Sequence, residues 1–437
     1  MLFVISGHLM IYFYLVSIAI FILTLYFVER NPRGMGIGYP AIIGAFACIA
    51  IGITPISDLL VIWDIVWNST FTFVAIVIFS LTLDEAGFFE YMAIKFTIFS
   101  KGNTKLLFVL IIVFGAIVSA LFANDGAILV LTPVVYSILK RTNAEGRIIL
   151  PFIMAVGFIA DTASSPFIIS NLVNIITTSY FSISFIDYAL VMMFPAFVST
   201  LASLSFLFLY YRKSLDGRLD ISRIPDPVSV IKDPKIFRIA MPLTIFLIVV
   251  YAVTGIFDIP IAFVAVPAVS GLFLYAHRNG RINTRKILVE APWQVVYFSL
   301  GMFVIVFGMG REGLTYDLSF VLVKISYLGG ILSTVLSGFL FSVLAGLLNN
   351  LPSVMIGNLA IKGSHLGVNL AYANVIGNDI GPKFTPIGSL ATLLWIYSLE
   401  RRGDIKINKR YYMKVGFILT VPVLLVTLLA LTVMLYL

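Results

Sequence analysis

Residues 121–133 read LFANDGAILVLTP. An asparagine and an aspartate stand side by side in a segment, 106–139, that is otherwise almost wholly apolar. Lys101 and Lys105 precede the segment and Lys140 and Arg141 follow it, so both of its ends face the same aqueous side. Ala123-Asn124-Asp125 is then the turn of a helical hairpin. Residues 328–361 repeat the form, with Asn349-Asn350 at the turn. Charge bias alone leaves two geometries for each: a pair of full spans, or a re-entrant hairpin whose tip stops at mid-membrane.

The remainder of the chain defines the barrier. Of its 437 residues 60% are hydrophobic and 11% charged, with a mean hydropathy of +1.06. A soluble protein carries roughly twice that charge. Apolar runs at 9–28, 59–81, 187–210, 239–256, 258–276, 291–309 and 412–437 are each suited to a bilayer, which takes about 20 residues per helix. Helices are required because lipid leaves no partner for a free backbone group, and no segment alternates like a barrel strand. The first run has no basic flank before it and no small-residue cleavage site, so it reads as retained.

Counting crossings with the loop at Arg30 and Arg33 inside places 25 of the 29 Lys and Arg residues on the cytoplasmic side; the exceptions are Arg311, Lys324, Lys362 and Lys383. This positive-inside bias accounts for the net charge of +8 without a nucleic-acid partner. Both termini then face outside, in a bacterial inner-membrane arrangement. Cys48 is the single cysteine, which excludes an internal disulfide and any site of two or three thiolates; it reads as helix packing. His8, His277 and His365 are scattered, so no metal site is expected, and GMGREG (308–313) lacks the ending of a phosphate loop, so no ATPase activity or other cofactor is expected either.

An internal repeat organises the whole. SLTLDEAGFFEYMA (80–93) matches FGMGREGLTYDLSF (307–320), and LFANDGAILV matches LLNNLPSVMI (347–356); Gly87 and Gly313, and Asn124 and Asn350, are both 226 apart. GFIADTASSPFIISNL (157–172) resembles NVIGNDIGPKFTPIGSL (374–390) with a shifted spacing. By the crossing count the second copy enters from the opposite side, the inverted-topology repeat of many secondary transporters. The division is 1–210, a linker at 211–238, and 239–437.

Four polar breaks interrupt the apolar runs: 123–125, 161–174, 349–350 and 377–389. Broken helices expose helix ends and free carbonyls, where transporters bind solute and ions. Asp125, Asp161 and Asp379 are the carboxylates inside apolar segments; each is costly there and suits proton coupling, with Lys383 as a partner for Asp161 or Asp379. Bland readings stand beside these. Asn124-Asp125 would serve as a surface helix cap, Ser165-Pro166 and Thr385-Pro386 as N-cap and first helical residue, and Asn171 with Asn174 as interhelical glue.

At these motifs the chain resembles the arsenite/antimonite efflux permeases, the ArsB family of the ion transporter superfamily. The likeness rests on WDIVWN (63–68), DEAGFFE (84–90), LFANDGAILVLTP, GFIADTAS (157–164), SNLVNI (170–175), IKDP (231–234), APWQVV (291–296), FSLGM (298–302) and YANVIGNDIGPKFTPIGSLATLLW (372–395). It implies an all-α integral membrane protein of two inverted repeats, with about ten transmembrane helices, two re-entrant hairpins and two broken helices. It further implies export of trivalent arsenic or antimony hydroxides; the burial of Asp125 and Asp161 adds the expectation that an inward proton gradient drives this export, with alternating access. A soluble ATPase on the cytoplasmic face is known for the family; the basic loops 211–238 and 401–414 offer it a dock, although the positive-inside signal alone accounts for them and is the preferred reading. The expected solute-binding residues are Asn124, Asn171, Asn174, Asn349, Asn350, Asn378, Thr385 and Ser389, and the proton-coupling residues Asp125, Asp161, Asp379 and Lys383. Where this chain has Asn378 some members carry Cys, so a thiolate contact to arsenic is absent there. A sodium/proton antiporter or sodium-coupled carboxylate carrier of the same superfamily is the alternative. An intramembrane aspartyl protease using Asp161 and Asp379 lacks the GxGD motif and leaves the repeat unexplained.

Overall fold

The apolar runs fold as helices throughout the computed structural model, which describes residues 2–31, 34–401 and 407–436. Arg33, Arg402 and Lys406 of the basic clusters lie outside the described residues. The first half contains α1 (Leu2–Arg30), α2 (Gly38–Ile51), α3 (Ile56–Glu85), α4 (Phe88–Phe99), the hairpin α5 (Thr104–Phe122) and α6 (Asn124–Arg141), then α7 (Gly146–Thr162), α8 (Leu172–Phe181) and α9 (Phe185–Tyr211). After the linker come α10 (Pro234–Gly255), α11 (Ala262–Asn279), α12 (Thr284–Glu290), α13 (Trp293–Arg311) and α14 (Leu314–Ser326). A second hairpin, α15 (Gly330–Leu348) and α16 (Asn350–Ser364), precedes α17 (Asn369–Ile380), α18 (Leu390–Arg401) and α19 (Lys409–Tyr436). Each half runs through the same order: two lead helices, a long helix, a short one, a hairpin, a broken helix and a closing long helix.

Eight stretches are individually long and apolar enough to cross a bilayer, two of them the first hairpin arms α5 and α15. Among the other described helices, α2 and α8 are apolar but shorter. The lipid-facing character is clearest on α1 and α10, where Ile11, Leu15, Ile245, Phe246 and Val249 are exposed.

The halves interlock reciprocally. α2 packs on α13 and α11 packs on α3, while α9 and α19 pack on each other. The ends of α3 and α13 are tied the same way: Glu85 at the end of α3 meets Lys286 on α12 at 2.7 Å, and Arg311 at the end of α13 meets Asp58 at the start of α3 at 2.5 Å. Ion pairs Lys105–Asp216, Arg141–Glu90, Lys232–Glu85 and Lys409–Glu29 each join residues that the crossing count put on one side, and Arg311–Asp58 joins two from the other.

Both hairpin turns share one backbone conformation. Ala123 has φ 63° and ψ 143°, and Asn349, 226 residues later, has φ 78° and ψ 149°. This region is disfavoured for any residue with a Cβ. The arms α5 and α15, at 19 residues, reach about 28 Å, nearly the bilayer core. Length therefore does not separate the two geometries left open by charge; in both hairpins the turn is enclosed by protein, residues 122–128 and 349–358 being all buried.

The linker is a fastened strap. Its first part grips both feet of the first hairpin: Leu219 N–H donates to Gly102 O at 2.9 Å, Thr104 Oγ1 donates to Gly217 O at 3.0 Å, and Asp220 N–H donates to Thr142 O at 3.3 Å. Its second part lies on the α3–α4 corner, where Lys232 N–H donates to Ala86 O at 3.1 Å. Gly87, at φ 92°, has no room for a Cβ beneath the Val230 carbonyl.

Candidate functional site

The two broken-helix breaks pair across the halves, and each hairpin tip bonds to the break of its own half. Asp161, on the last turn of α7, is 1% exposed. Its Oδ1 accepts from Asn124 Nδ2 at the first hairpin tip at 2.8 Å, and its Oδ2 faces Lys383 Nζ from the second break at 2.7 Å. Lys383, 2% exposed and the one buried cation among the described residues, also donates to Thr392 Oγ1 on α18 at 3.1 Å; that hydroxyl lies 3.5 Å from the Tyr412 hydroxyl on α19. Gly416 on α19 lets the Lys383 carbonyl approach closely, since a Cβ there would overlap it.

Asp379, on the last turn of α17, is fully buried and finds its partners in the first half. Ser165 Oγ donates to its Oδ2 and Asn171 Nδ2 to its Oδ1, each at 2.8 Å. No cation lies beside it among the described residues. Asp125, at 7% exposure on the first turn of α6, has no side-chain hydrogen bond or ion pair there. It shares the electrostatic environment of Asp161 and Lys383. Asp161 and Asp125 thus face one ammonium, and Asp379 faces Asp161, in a region closed to bulk water. A fourth buried carboxylate, Asp233, is of another kind: Lys235 N–H, Ile236 N–H and Asn279 Nδ2 all donate to it, so it is a helix cap fully satisfied by donors.

The amides divide into saturated and unsaturated groups. Asn171 donates to Asp379 and Ser164 Oγ and accepts from Val173 N–H, so it caps α8. Asn349 caps α16 and donates to Ile387 O. Asn350 N–H donates to Gly388 O at 2.8 Å, stitching the second tip to the second break. In contrast, Asn124, Asn174 and Asn378 each keep a buried Oδ1 with no partner. Their orientation is fixed by what the NH₂ groups meet: the Asp161 carboxylate for Asn124, the Ser164 and Phe167 carbonyls for Asn174, and the Asn374 carbonyl for Asn378. Only a donor end satisfies those neighbours, so the free atom is an acceptor. Ser389 is buried beside the second break at the start of α18.

Two expectations are corrected. Ser165-Pro166 and Thr385-Pro386 do not cap helices: α8 starts at Leu172 under Asn171, and α18 starts only at Leu390. Their hydroxyls serve tertiary contacts instead. Thr385 Oγ1 donates to Gly346 O at 2.5 Å, and its counterpart is Ser170, which donates to Ala120 O at 2.5 Å; the two acceptors are 226 residues apart. The surface-cap reading of Asn124-Asp125 also falls, because the tip is buried and Ala123 occupies the cap position.

Several participants were not singled out from sequence. Asn374 and Asn358 link Asn378 to Thr177 in a buried chain of hydrogen bonds. Asn374 stands four residues before Asn378, one helical turn, which was a readable signal. Thr392 and Tyr412 carried none, since threonine and tyrosine are common in spanning helices.

The family described as "Arsenical pump membrane protein" (ArsB) matches residues 16–435. The chain is similar to arsenical pump membrane proteins of Escherichia coli and Yersinia enterocolitica, 44% identical over 417 residues, which span 94% of this chain and 97% of each relative. It is also similar to a putative arsenical pump membrane protein of Bacillus subtilis, 26% identical over 412 residues, with 88% and 91% covered.

Proposed function

This chain belongs to the arsenical pump membrane protein family, and from that premise we propose that it exports arsenite and antimonite as neutral hydroxides in exchange for protons. The observation that carries the reading is the set of buried amide oxygens on Asn124, Asn174 and Asn378 that lack a donor. An unmet acceptor in a closed interior costs free energy until a donor arrives. Arsenous acid is uncharged near neutral pH and brings three hydroxyl groups. It needs no fixed opposite charge, which suits a site where the one ammonium is already engaged by Asp161.

Proton exchange is supported by the charge imbalance. One lysine neutralises one of three carboxyl groups, and Asp125, which has neither an ion pair nor a side-chain hydrogen bond among the described residues, needs a proton or a cation to remain buried. Asp125 and Asp379 are the groups without an ion pair. In the proposed cycle their protonation alternates as the tips move relative to the breaks. The basic clusters orient the strap toward the cytoplasm, in the cytoplasmic membrane with both termini outside. The same end would receive a soluble ATPase.

Accumulation of arsenite in everted vesicles under an imposed proton gradient is the deciding experiment. Uptake that collapses with a protonophore upholds the reading; arsenite flux indifferent to the gradient removes the proton. A sodium/proton antiporter is the second reading, because unpaired amide oxygens also suit a sodium ion. Sodium-driven proton release without arsenite movement would favour it. A carboxylate carrier fits poorly, since its anion would have to take Lys383 from Asp161.

A further inference from the structure

We propose that Lys383 is a resident counter-ion, occupying the place at Asp161 that a coupling cation would otherwise take, so that this carboxylate requires no sodium. The inference rests on the reading of the chain as an ion-coupled carrier and narrows which ion it can use. A carboxylate buried to 1% exposure persists only with a proton, a cation or a full set of hydrogen-bond donors beside it, and Asp161 has a single neutral donor among the described residues, on Oδ1. Here the cation is covalently part of the protein. Lys383 Nζ lies 2.7 Å from Asp161 Oδ2 and is steadied by Thr392 Oγ1 at 3.1 Å. Asn124 Nδ2 takes the other carboxylate oxygen, so two donors from two breaks already flank Asp161.

The surroundings make the ammonium a fixture. It arrives on the turn Gly381–Phe384, which is held against α19 at Gly416. A cavity of about 10 Å³, on the order of one water, is lined by Lys383, Tyr412, Met154, Phe158 and Gly416. Removal of the ammonium would leave Asp161 Oδ2 without its partner and open a seat there for a small monovalent cation. The charged and titratable groups facing the pair are Asp125 on α6, Asp379 on α17 and Tyr412 on α19. None of these is a second cation, so nothing else on the described chain replaces Lys383.

The test measures melting of the purified protein in sodium chloride and in choline chloride at equal ionic strength. The wild type is expected to melt alike in both. Lys383→Gln is expected to melt several degrees lower in choline, with sodium restoring part of the loss. Adding Asp161→Asn should remove both the loss and the sodium response. The proposal is overturned if Lys383→Gln melts like the wild type in both salts. It is also overturned if the wild type shows a sodium-specific rise that Asp161→Asn abolishes. Should Lys383→Gln fail to accumulate, its recovery by added Asp161→Asn carries the same conclusion, and no recovery overturns it. These readouts do not involve arsenic: a sodium response in Lys383→Gln together with no arsenite export by the wild type would discard the proposed substrate and keep the counter-ion.

Discussion

At the scale of single residues the interior is governed by unequal pairing. Removing one partner of the Asp161–Lys383 pair strands the other charge, which costs about 3–5 kcal/mol, whereas replacing both costs far less. Chemical denaturation of Asp161→Asn should therefore show a larger loss than the Asp161→Asn, Lys383→Met double replacement; equal losses would mean that the pair is not a unit. Ala123 offers a second test. It holds φ 63° with a Cβ, so Ala123→Gly should stabilise the fold by about 1 kcal/mol through relief of strain. Arsenite export should fall as the tip loses its fixed form, and a lowered denaturation midpoint would show the turn to be unstrained. Asn378→Ala removes an acceptor and should raise the KM for arsenite several-fold, on the order of 1 kcal/mol, with folding judged by unchanged accumulation in the membrane. The sequence made Asp161, Asp379 and Lys383 visible because charge inside an apolar run is conspicuous. It did not reveal that Asp161 takes the lysine while Asp379 takes only Ser165 and Asn171, since that choice depends on where two chain breaks 200 residues apart come to rest.

At the scale of elements the hairpins were legible and the starts of the broken-helix arms were not. Hairpins declared themselves by basic residues at both feet and polar residues at the turn. Ser165-Pro166 and Thr385-Pro386 misled, because a hydroxyl before a proline suits a helix start locally while the tertiary structure spent Ser165 on Asp379 and Thr385 on Gly346. The strap could not be read either, as backbone hydrogen bonds such as Leu219 to Gly102 leave no mark in side-chain chemistry. Its ion pair has a predictable pH response. Lys105 beside Asp216, at 2.6 Å, holds that carboxyl below the usual carboxylate range. The folded value lies under the unfolded one, so this contribution is present above about pH 4 and is lost as pH falls through the folded value. The pair is exposed and the contribution small. Protection of residues 216–223 against hydrogen exchange, corrected for the intrinsic pH dependence of amide exchange, should therefore fall modestly at acid pH, and Asp216→Asn should show that lowered protection already at neutral pH. Gly87→Val tests the other end of the strap: a side chain there meets the Val230 carbonyl, and faster exchange confined to 226–233 is the expected result.

At the scale of the whole molecule the 226-residue spacing of the sequence matches recurs in the paired φ values of Ala123 and Asn349 and in the acceptors of the twin contacts of Ser170 and Thr385. The contacts between halves are reciprocal but the chemistry is not, for the lysine belongs to one break only. That asymmetry also has a consequence for biogenesis. Lys383 follows Asp161 by 222 residues, and a ribosome adds about 5–20 residues each second, so the carboxylate waits roughly 11–44 s for its ammonium to be made. During that interval α7 has been threaded into the translocation machinery with a charge its own half cannot neutralise. A nascent chain halted before Lys383 should be held by the insertion machinery or destroyed by membrane proteases, and Asp161→Asn should prolong its life.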